Sequence, residues 1–436
     1  MGSFFDVIVV GGGPAGLMVA KTAAEKNLEV LLIEKRKRIP QVKRTCCSSF
    51  FLEPNYMGET TRVEEGKLVF PNNGFTVNYA GSLYPIKDKY GISSGGYKWH
   101  MVRFESEDYS KGIPLSMVLD KEVLLEGLLR EAEHSGVKVM NGSMAKKIEN
   151  IEKGVKVEVT KEGRSLLIEG RKGIVADGVN SPMVESMGLN KERKVLGSRA
   201  VFLEYIMEGV DNPFPNAVLN FHGEKISKFG PVFLWPNSKG LPRIMVMSRL
   251  PKYPSEVIDY FISDSPYASW FKHAQIIEKT GGSLVPRAAI SEPCIGNILV
   301  IGDAAAFIEV ENQGAMMCGF QAGNAVYEKL NGSDGFKRYV EWWKRSFEFN
   351  NPELLKALAV LPAIEVRGYR DEDIDYLFSL VDGEEIYGTC SQYRSGVAVW
   401  KAILKHSETI KKERPPLYEK VKGLMDLGLD DIFTGG

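Results

Sequence analysis

Residues 5–16 read FDVIVVGGGPAG, and this stretch decides the fold of the N-terminal part of the chain. Its first six residues form a short, β-branched apolar run that is typical of a buried parallel strand. A helical stretch follows over 17–26, and a second apolar strand over 29–33 ends at Glu34. Strand, glycine-rich turn, helix and strand in this order predict a Rossmann-type βαβ unit that binds a dinucleotide.

The turn residues have separate tasks in such a unit. Gly11 permits the tight turn, Gly13 lets the backbone approach a pyrophosphate, and Gly16 lets the helix pack closely on the strand. The first helical turn presents free N–H groups to the anion, so Pro14 and Ala15 are also predicted at the pyrophosphate.

The end of the second strand is predicted to bind the adenosine ribose. Glu34 is placed there to accept hydrogen bonds from the ribose hydroxyls, with Lys35 beside it. A carboxylate at this position would repel a ribose 2′-phosphate, which disfavours NADP and leaves NAD or FAD.

Two later motifs repeat the pattern of a buried strand that ends in a tight turn. Residues 173–181 read GIVADGVNS, and residues 297–305 read NILVIGDAA. Asp303 therefore stands at the carboxyl end of a strand, where open α/β sheets bind ligands.

The three motifs, in this order, resemble the FAD-binding fold shared by aromatic-ring flavin hydroxylases and geranylgeranyl reductases. The resemblance implies that FAD is the cofactor. It also implies that Asp303, after Gly302, binds the ribityl chain, and that Asp177 and Gly178 lie near the pyrophosphate. Arg103 is a further candidate anchor.

A small-residue helix is predicted over 314–330, directly after the third motif. Gly314 and Ala315 at its start are assigned to the cofactor. Gly314 and Gly319 lack side chains where a bulky flavin ring could lie over the beginning of the helix.

Less specific motifs favour the geranylgeranyl reductase branch of this group. They are GGSLVP at 281–286, FGPVFLWP at 229–236, and Leu-Asp at 119–120 before an amphipathic helix. The resemblance covers roughly residues 1–330. It implies that Phe233 and Trp235 line the substrate pocket.

The family usually places a cysteine beside the flavin, shortly after the first βαβ unit. Residues 44–47, RTCC, occupy about that place, which makes Cys46 and Cys47 candidate catalytic residues. A thiol near reduced flavin can supply a proton to an alkene carbon while the flavin supplies hydride. The alternative is that one or both are small buried hydrophobic residues.

The sequence departs from the family after the third motif. The family has a proline-containing, glycine-rich segment against the flavin ring, whereas residues 307–314 read FIEVENQG. Glu309 and Glu311 near a flavin would disfavour its anionic reduced form and lower its potential, so both are candidate substrate-pocket or flavin-tuning residues. Alternatively they face solvent or pair with Arg287.

The predicted fold class is α/β, with a Rossmann-like FAD-binding domain built on a parallel sheet over 1–54, 106–194 and 286–330. An antiparallel β-sheet substrate domain is inserted over 55–105 and 195–285, and a C-terminal helical region covers 331–436. The inserted strands are expected to form one sheet that covers the flavin. Its aromatic residues are expected to line an apolar pocket: Tyr97, Trp99, Phe104, Phe221, Phe229, Phe233 and Trp235.

The bulk composition excludes several classes of function. A net charge of −1 gives no electrostatic reason to bind nucleic acid, and the five scattered histidines predict no metal site. The five cysteines have no zinc-ligand spacing and indicate a reducing compartment. With neither a spanning apolar run nor a signal segment, we expect a cytoplasmic protein, with peripheral membrane contact as the alternative.

The predicted function is an FAD-dependent oxidoreductase that reduces carbon–carbon double bonds of a prenyl-type or other apolar substrate. Its electron donor would be NAD(P)H or a reduced electron-transfer protein. Three alternatives stay open at this point: a flavin monooxygenase, an electron-transfer flavoprotein with a quinone-like acceptor, and a non-enzymatic FAD-binding regulator.

Overall fold

The computed structural model describes residues 4–46, 48–103, 112–227, 232–248, 254–351, 369–389 and 394–425. The strands in this part of the chain are β1 (Phe4–Val10), β2 (Val30–Ile33), β3 (Ser49–Phe51), β4 (Arg62–Glu64), β5 (Lys67–Phe70), β6 (Phe75–Asn78), β7 (Leu83–Ile86), β8 (Asp88–Ser93), β9 (Lys98–Arg103), β10 (Ser116–Leu119), β11 (Lys138–Met140), β12 (Ser143–Ile151), β13 (Gly154–Lys161), β14 (Arg164–Val175), β15 (Ala200–Glu208), β16 (Ala217–His222), β17 (Val232–Pro236), β18 (Pro242–Ser248), β19 (Gln275–Leu284), β20 (Cys294–Ile295), β21 (Ile298–Val300) and β22 (Glu385–Tyr387).

The helices in the same ranges are α1 (Pro14–Ala24), α2 (Lys121–His134), α3 (Pro182–Ser186), α4 (Pro254–Ser263), α5 (Glu311–Leu330), α6 (Gly335–Ser346), α7 (Asp371–Ser379), α8 (Ser395–Leu404), α9 (Ser407–Glu413) and α10 (Pro415–Met425). Among the residues described, no helix is both long and apolar enough to cross a lipid bilayer. Within the predicted C-terminal helical region, residues 352–368 lie outside the described residues.

The first sheet contains the predicted βαβ unit. β1 pairs in parallel with β2 and β14, β2 pairs in parallel with β11, and β14 pairs in parallel with β21. β12 and β13 extend it as antiparallel strands. Val7–Val10 of β1 are all buried, and α1 packs against β1 and β2. A strand that is buried on both faces needs no alternation of apolar and polar residues. The prediction of a Rossmann-like parallel sheet is confirmed.

Helices α1 and α5 lie so close together that glycine is required between them. A Cβ at Gly319 would lie 2.5 Å from the carbonyl oxygen of Ala15, and one at Gly323 would lie 2.6 Å from Cβ of Thr22. The expectation that Gly319 leaves room for the flavin is therefore wrong, because α1 fills that space.

The second sheet has the order β19-β15-β18-β17-β16-β8-β9-β22. Its pairs are antiparallel except for β16 with β8 and β9 with β22. One face packs against α4 through a buried apolar cluster that includes Tyr205, Leu219, Phe221 and Phe261. Phe221 thus belongs to this core and does not line the predicted pocket.

The prediction of one sheet from residues 55–105 and 195–285 is wrong. β4, β5 and β6 form their own small sheet, and β7 pairs with β10 beside β3. Gly66 (φ +68°) and Gly74 (φ +75°) close tight turns within 62–78, so these strands pair with their chain neighbours. From this region, β8 and β9 join the second sheet.

In the described part of the C-terminal region the regular elements are helices and β22, which extends the second sheet beside β9. Trp99 and Met101 of β9 pack against Ile374, Trp400 and Ile403 of the C-terminal helices. Trp99 is therefore part of this interface and not of a pocket lining. The strand was missed because its three residues carry no periodic signal. The predicted domain limits remain predictions.

Candidate active site

The glycine-rich turn combines two crowded positions with one open position. A Cβ at Gly11, where φ is +110°, would lie 2.3 Å from the carbonyl oxygen of Ala176. A Cβ at Gly16 would lie 1.8 Å from the carbonyl oxygen of Gly11. A Cβ at Gly13 would meet no atom within 4 Å. The protein thus leaves open space at the position that a pyrophosphate would approach.

Helix α1 begins at the open position. Gly13 is its N-cap in an extended conformation, and Pro14 stands in the first turn, where its missing N–H costs no hydrogen bond. Ala15 is buried, and its Cβ lies 3.2 Å from the position that a Cβ of Gly302 would take. The first and third motifs are thus in contact.

Glu34 is buried at the end of β2 and organises the glycine-rich turn. Its Oε2 accepts from the Gly12 N–H at 2.5 Å, and its Oε1 accepts from Nε of Arg36 at 2.9 Å. Burial acts to raise the pKa of Glu34, but hydrogen bonds and charge from Arg36 outweigh it and leave the pKa below its ordinary value. Lys35 is exposed. Arg36 was missed because the motif specifies only the acidic residue.

We expect Glu34→Gln to weaken FAD binding at least about 10-fold, because the charge of a hydrogen-bond acceptor worth about 1.5–3 kcal/mol is lost. Titration of the apoprotein with FAD measures this. Glu29→Gln, which affects only an exposed pair with Lys138, is the matched control.

The second motif lies against the first. Oδ2 of Asp177 accepts from the Met183 N–H at 3.2 Å, while its buried Oδ1 has no hydrogen-bond partner among the described residues. Burial raises the pKa of Asp177 to about 6, although hydrogen bonds from Ser181 and Met183 oppose the rise. Gly178 has φ +89°, and Arg44 Nη1 would lie 3.7 Å from a Cβ there. A buried acceptor without a partner fits a site that receives a polar ligand.

The third motif closes a short loop onto the start of α5. Gly302 has φ +63°, and Oδ1 of Asp303 accepts from the Val310 N–H at 2.9 Å. Arg193 braces the same loop by donating from Nη2 to the Ala306 carbonyl at 2.6 Å. The structure therefore brings the three motifs together, as the resemblance implied.

The first turn of α5 is polar and buried. Glu311 has φ +58° and accepts from the Tyr56 hydroxyl at 3.1 Å, so a solvent-facing Glu311 is excluded. Oε1 of Gln313 accepts from the Phe51 N–H at 2.7 Å. The buried amide groups Nδ2 of Asn312 and Nε2 of Gln313 have no hydrogen-bond partner in the described part of the chain. These donors also fit a polar ligand at this turn.

Gly314 and Ala315, which were assigned to the cofactor, follow in the same helix. A Cβ at Gly314 would lie 3.0 Å from both Sδ of Met57 and Cε1 of Phe347. The space that a side chain at Gly314 would take is thus filled by protein, so packing alone requires glycine here, and the assignment of Gly314 to the cofactor stays a prediction. Ala315 is buried in the same turn, and Glu309 is half-buried before it.

The thiol loop, residues 44–46, lies between the two sheets. Cys46 is half-buried, and Nζ of Lys121 lies 3.1 Å from its Sγ. Nη1 of Arg243 donates to the Cys46 carbonyl at 3.0 Å. The basic neighbours of Cys46 thus come from α2 and β18. Cys47 and the side chain of Arg103 lie outside the described residues; the backbone of Arg103 pairs with Tyr387 in the second sheet.

The face of the second sheet opposite α4 is here called the site face. Residues directly opposite one another in the ladder share a face. The following sets therefore lie on the site face: Phe202 with Met247; Glu204, Met245, Phe233 and Asn220; Ile206, Arg243 and Trp235.

The site face is mainly apolar, and much of it is half-buried. Trp235 is buried, with Cζ of Arg243 4.5 Å from its ring centroid, and Phe233 is half-buried beside it. Because Arg243 also holds the Cys46 carbonyl, the site face points toward the thiol loop.

The GGSLVP segment forms the seam between the sheets. The Gly281 carbonyl accepts from the Thr45 N–H at 3.4 Å, and the Ser283 carbonyl accepts from Nδ2 of Asn180 at 2.6 Å. The thiol loop, the second motif and the second sheet therefore meet at one place.

Comparison with known proteins gives matches over most of the chain. Residues 5–78 match the family model described as pyridine nucleotide-disulphide oxidoreductase. Digeranylgeranylglycerophospholipid reductase of Methanosarcina acetivorans is 26% identical over 389 residues, which cover 86% of this chain and 88% of the relative. The reductase of that name from Methanococcus vannielii is 26% identical over 355 residues, which cover 79% and 84%.

Solved structures share the fold. A geranylgeranyl bacteriochlorophyll reductase-like protein from Thermoplasma acidophilum superposes with a TM-score of 0.70 at 20% identity, covering 98% of this chain and 99% of its own. A p-nitrophenol 4-monooxygenase from Pseudomonas putida gives a TM-score of 0.64 at 13% identity, covering 94% and 98%. The predicted fold class and the predicted resemblance are confirmed.

Proposed function

We propose that this geranylgeranyl-reductase-like, FAD-dependent oxidoreductase reduces carbon–carbon double bonds of a prenyl-type or similar apolar lipid. The observation that carries the proposal is the position of Cys46. Its loop lies against the second dinucleotide-binding motif and the site face of the second sheet, and that motif contacts the first at Gly11.

The site face supports an apolar substrate. Its half-buried members include Phe202, Ile206, Phe233, Met245 and Met247, which offer a wall of aromatic and thioether groups. Methionine adapts its shape to irregular partners, and such a wall suits a long, flexible hydrocarbon chain. The curated relatives have names that specify a digeranylgeranylglycerophospholipid as their substrate.

The residues of the three motifs would hold the cofactor. The turn around Gly13 would receive the pyrophosphate, Glu34 the adenosine ribose and Asp303 the ribityl chain. Bound FAD, when reduced, supplies a hydride equivalent to an alkene carbon. NAD(P)H or a reduced electron-transfer protein would provide the electrons.

The Cys46 thiol would supply the proton for the other alkene carbon. Lys121, 3.1 Å from Sγ, stabilises the sulfur when that proton leaves, and Arg243 holds the loop backbone in place. Cys47 is the second candidate for the same task. A lipid substrate of this kind makes peripheral contact with a membrane an expectation.

The proposal is tested by reducing the FAD-loaded protein chemically under strict anaerobiosis and adding a geranylgeranyl lipid. We expect the oxidised flavin spectrum to return without oxygen, together with a more saturated lipid by mass spectrometry. A spectrum that returns only when air is admitted, with an oxygenated product, would instead establish a monooxygenase.

We expect Cys46→Ser or Cys47→Ser to slow this reoxidation at least about 100-fold, because general acid catalysis typically contributes 10²–10⁴-fold. The visible absorbance of bound FAD should be unchanged in both variants. Cys294→Ser, on a half-buried cysteine of β20, is the matched control. If both loop variants keep full turnover, the thiols are structural.

A further inference from the structure

A buried carboxyl group lies on the site face close to the thiol loop. Glu204 in β15 is 3% exposed and stands directly opposite Thr280 of β19 in the ladder. The proposed function assigns no role to this carboxyl group. A buried carboxyl group in an otherwise apolar wall is costly unless it has a specific task or partner.

Hydroxyl groups connect Glu204 to the thiol loop. Oε1 of Glu204 lies 3.2 Å from Oγ1 of Thr280, which lies 3.3 Å from Oγ1 of Thr45. Thr45 directly precedes Cys46 in the chain. Each hydroxyl can donate and accept at once, so the series can pass a proton in either direction.

Arg243 fixes both ends of this connection. Its Nη1 lies 3.8 Å from Oε2 of Glu204 and 3.0 Å from the Cys46 carbonyl oxygen. Its guanidinium also stacks on Trp235, which restricts its position further. The carboxyl group and the thiol loop are thus held by one side chain.

The surroundings of Glu204 favour its protonated form. Burial raises the pKa of its carboxyl group, the charge of Arg243 lowers it, and the negative charges of Cys46 and Glu278 raise it further, leaving it above its ordinary value. Arg243 comes from β18, Glu278 from β19, and Cys46 has Lys121 of α2 beside it. A carboxyl group whose pKa is raised keeps its proton to a higher pH than an exposed one, as a proton donor must.

We propose that Glu204 returns a proton to Cys46 through Thr280 and Thr45 after each reduction, an inference that rests on the proposed function. In the reduction, the S–H bond breaks, its proton forms a C–H bond on the substrate, and a thiolate remains. The O–H bond of the Glu204 carboxyl group then breaks and the S–H bond re-forms. The carboxylate takes its next proton from water, so protons balance and no electrons move.

The test uses the FAD-loaded protein, excess dithionite as reductant and a geranylgeranyl lipid under anaerobiosis. The protein is equilibrated in buffer before the lipid is added, so the thiol takes its first proton from solvent and the first turnover of Glu204→Gln should match the wild type. Later turnovers should be at least about 10-fold slower, because reprotonation now limits them. A purely structural defect would slow the first turnover as well.

Two further variants keep the result clear. Thr280→Val interrupts the hydroxyl series while leaving Glu204 and Arg243 in place, and should show the same fast first turnover and slow later ones. Glu208→Gln, at the exposed end of the same strand, should behave like the wild type throughout. Later turnovers at the wild-type rate in Glu204→Gln would overturn the relay.

A second readout needs no alkene. The pH dependence of Cys46 alkylation, followed by mass spectrometry in a Cys47→Ser background, should move to lower pH in Glu204→Gln. The carboxylate that Glu204 becomes on losing its proton opposes ionisation of the thiol, and the variant lacks it. An unchanged profile would overturn the coupling of the two groups. If the wild-type protein reduces no alkene, but its alkylation profile still differs from that of Glu204→Gln, the proposed function is overturned and the coupling of the two groups is established.

Discussion

The Asp303→Ala protein is expected to be purified with little or no FAD. Its carboxylate is proposed to bind the ribityl hydroxyls, and its Oδ1 also holds the Val310 N–H at 2.9 Å, which shapes the loop before α5. Each charged hydrogen bond is worth about 1.5–3 kcal/mol, so losing two should weaken binding at least about 100-fold. The ratio of visible to ultraviolet absorbance and titration of the apoprotein measure this.

Two further variants serve as an intermediate case and a control for Asp303→Ala. Asp303→Asn keeps an acceptor for Val310 but removes the negative charge, so its affinity for FAD should lie between those of the wild type and Asp303→Ala. Asp334→Ala removes an exposed carboxylate that pairs with Lys329 and should retain full FAD. Full occupancy and unchanged affinity in Asp303→Ala would remove the assignment of the third motif.

The second large effect is expected from Gly16→Ala, which should strongly destabilise the first sheet. The new Cβ would lie 1.8 Å from the carbonyl oxygen of Gly11, so helix and turn would have to separate. Backbone displacement of this kind in a packed interior costs about 3–5 kcal/mol, a large share of the roughly 5–15 kcal/mol that stabilises a domain. Thermal unfolding of the apoprotein measures the loss.

Gly13→Ala is the matched variant, with the same chemical change three residues earlier. Gly13 has φ −79°, which alanine adopts without strain, and its Cβ would meet no atom within 4 Å. We expect nearly normal stability but at least about 10-fold weaker FAD binding, because the methyl group enters the space proposed for the pyrophosphate. A Gly13→Ala protein with unchanged FAD affinity would contradict that placement.

The glycine pattern and the apolar runs sufficed to predict β1, β2 and the ends of β14 and β21 in the first sheet, because these signals are local; β11, β12, β13 and β20 were not predicted. Strand 5–10 and its turn are decided by neighbouring residues, and β1 (Phe4–Val10) matches within one residue. Gly319 shows the limit of such reasoning. A helical glycine leaves space for a ligand or for another helix, and the sequence does not show which of the two occupies that space.

The polar contacts of the site were harder to predict than its motifs. Arg243 reaches Cys46 and Glu204 only because β15, β18 and the thiol loop adopt one particular register. Tyr56 and Glu311 likewise meet across 255 positions of the chain. The alternating pattern of the strands indicates two faces, but it does not show which face covers a helix and which covers the site.

The first sheet also has a consequence for synthesis on the ribosome. β21 and the Gly302–Asp303 turn emerge after all the strands from β15 to β19, yet they complete the sheet that begins with β1. Translation adds about 5–20 residues per second, so the C-terminal end of β14 stays without its partner strand β21 for several seconds. An unpaired strand edge can pair with a wrong strand during this time. We therefore expect nascent chains to capture FAD only after residue 303 has left the exit tunnel, and to need chaperone protection until then.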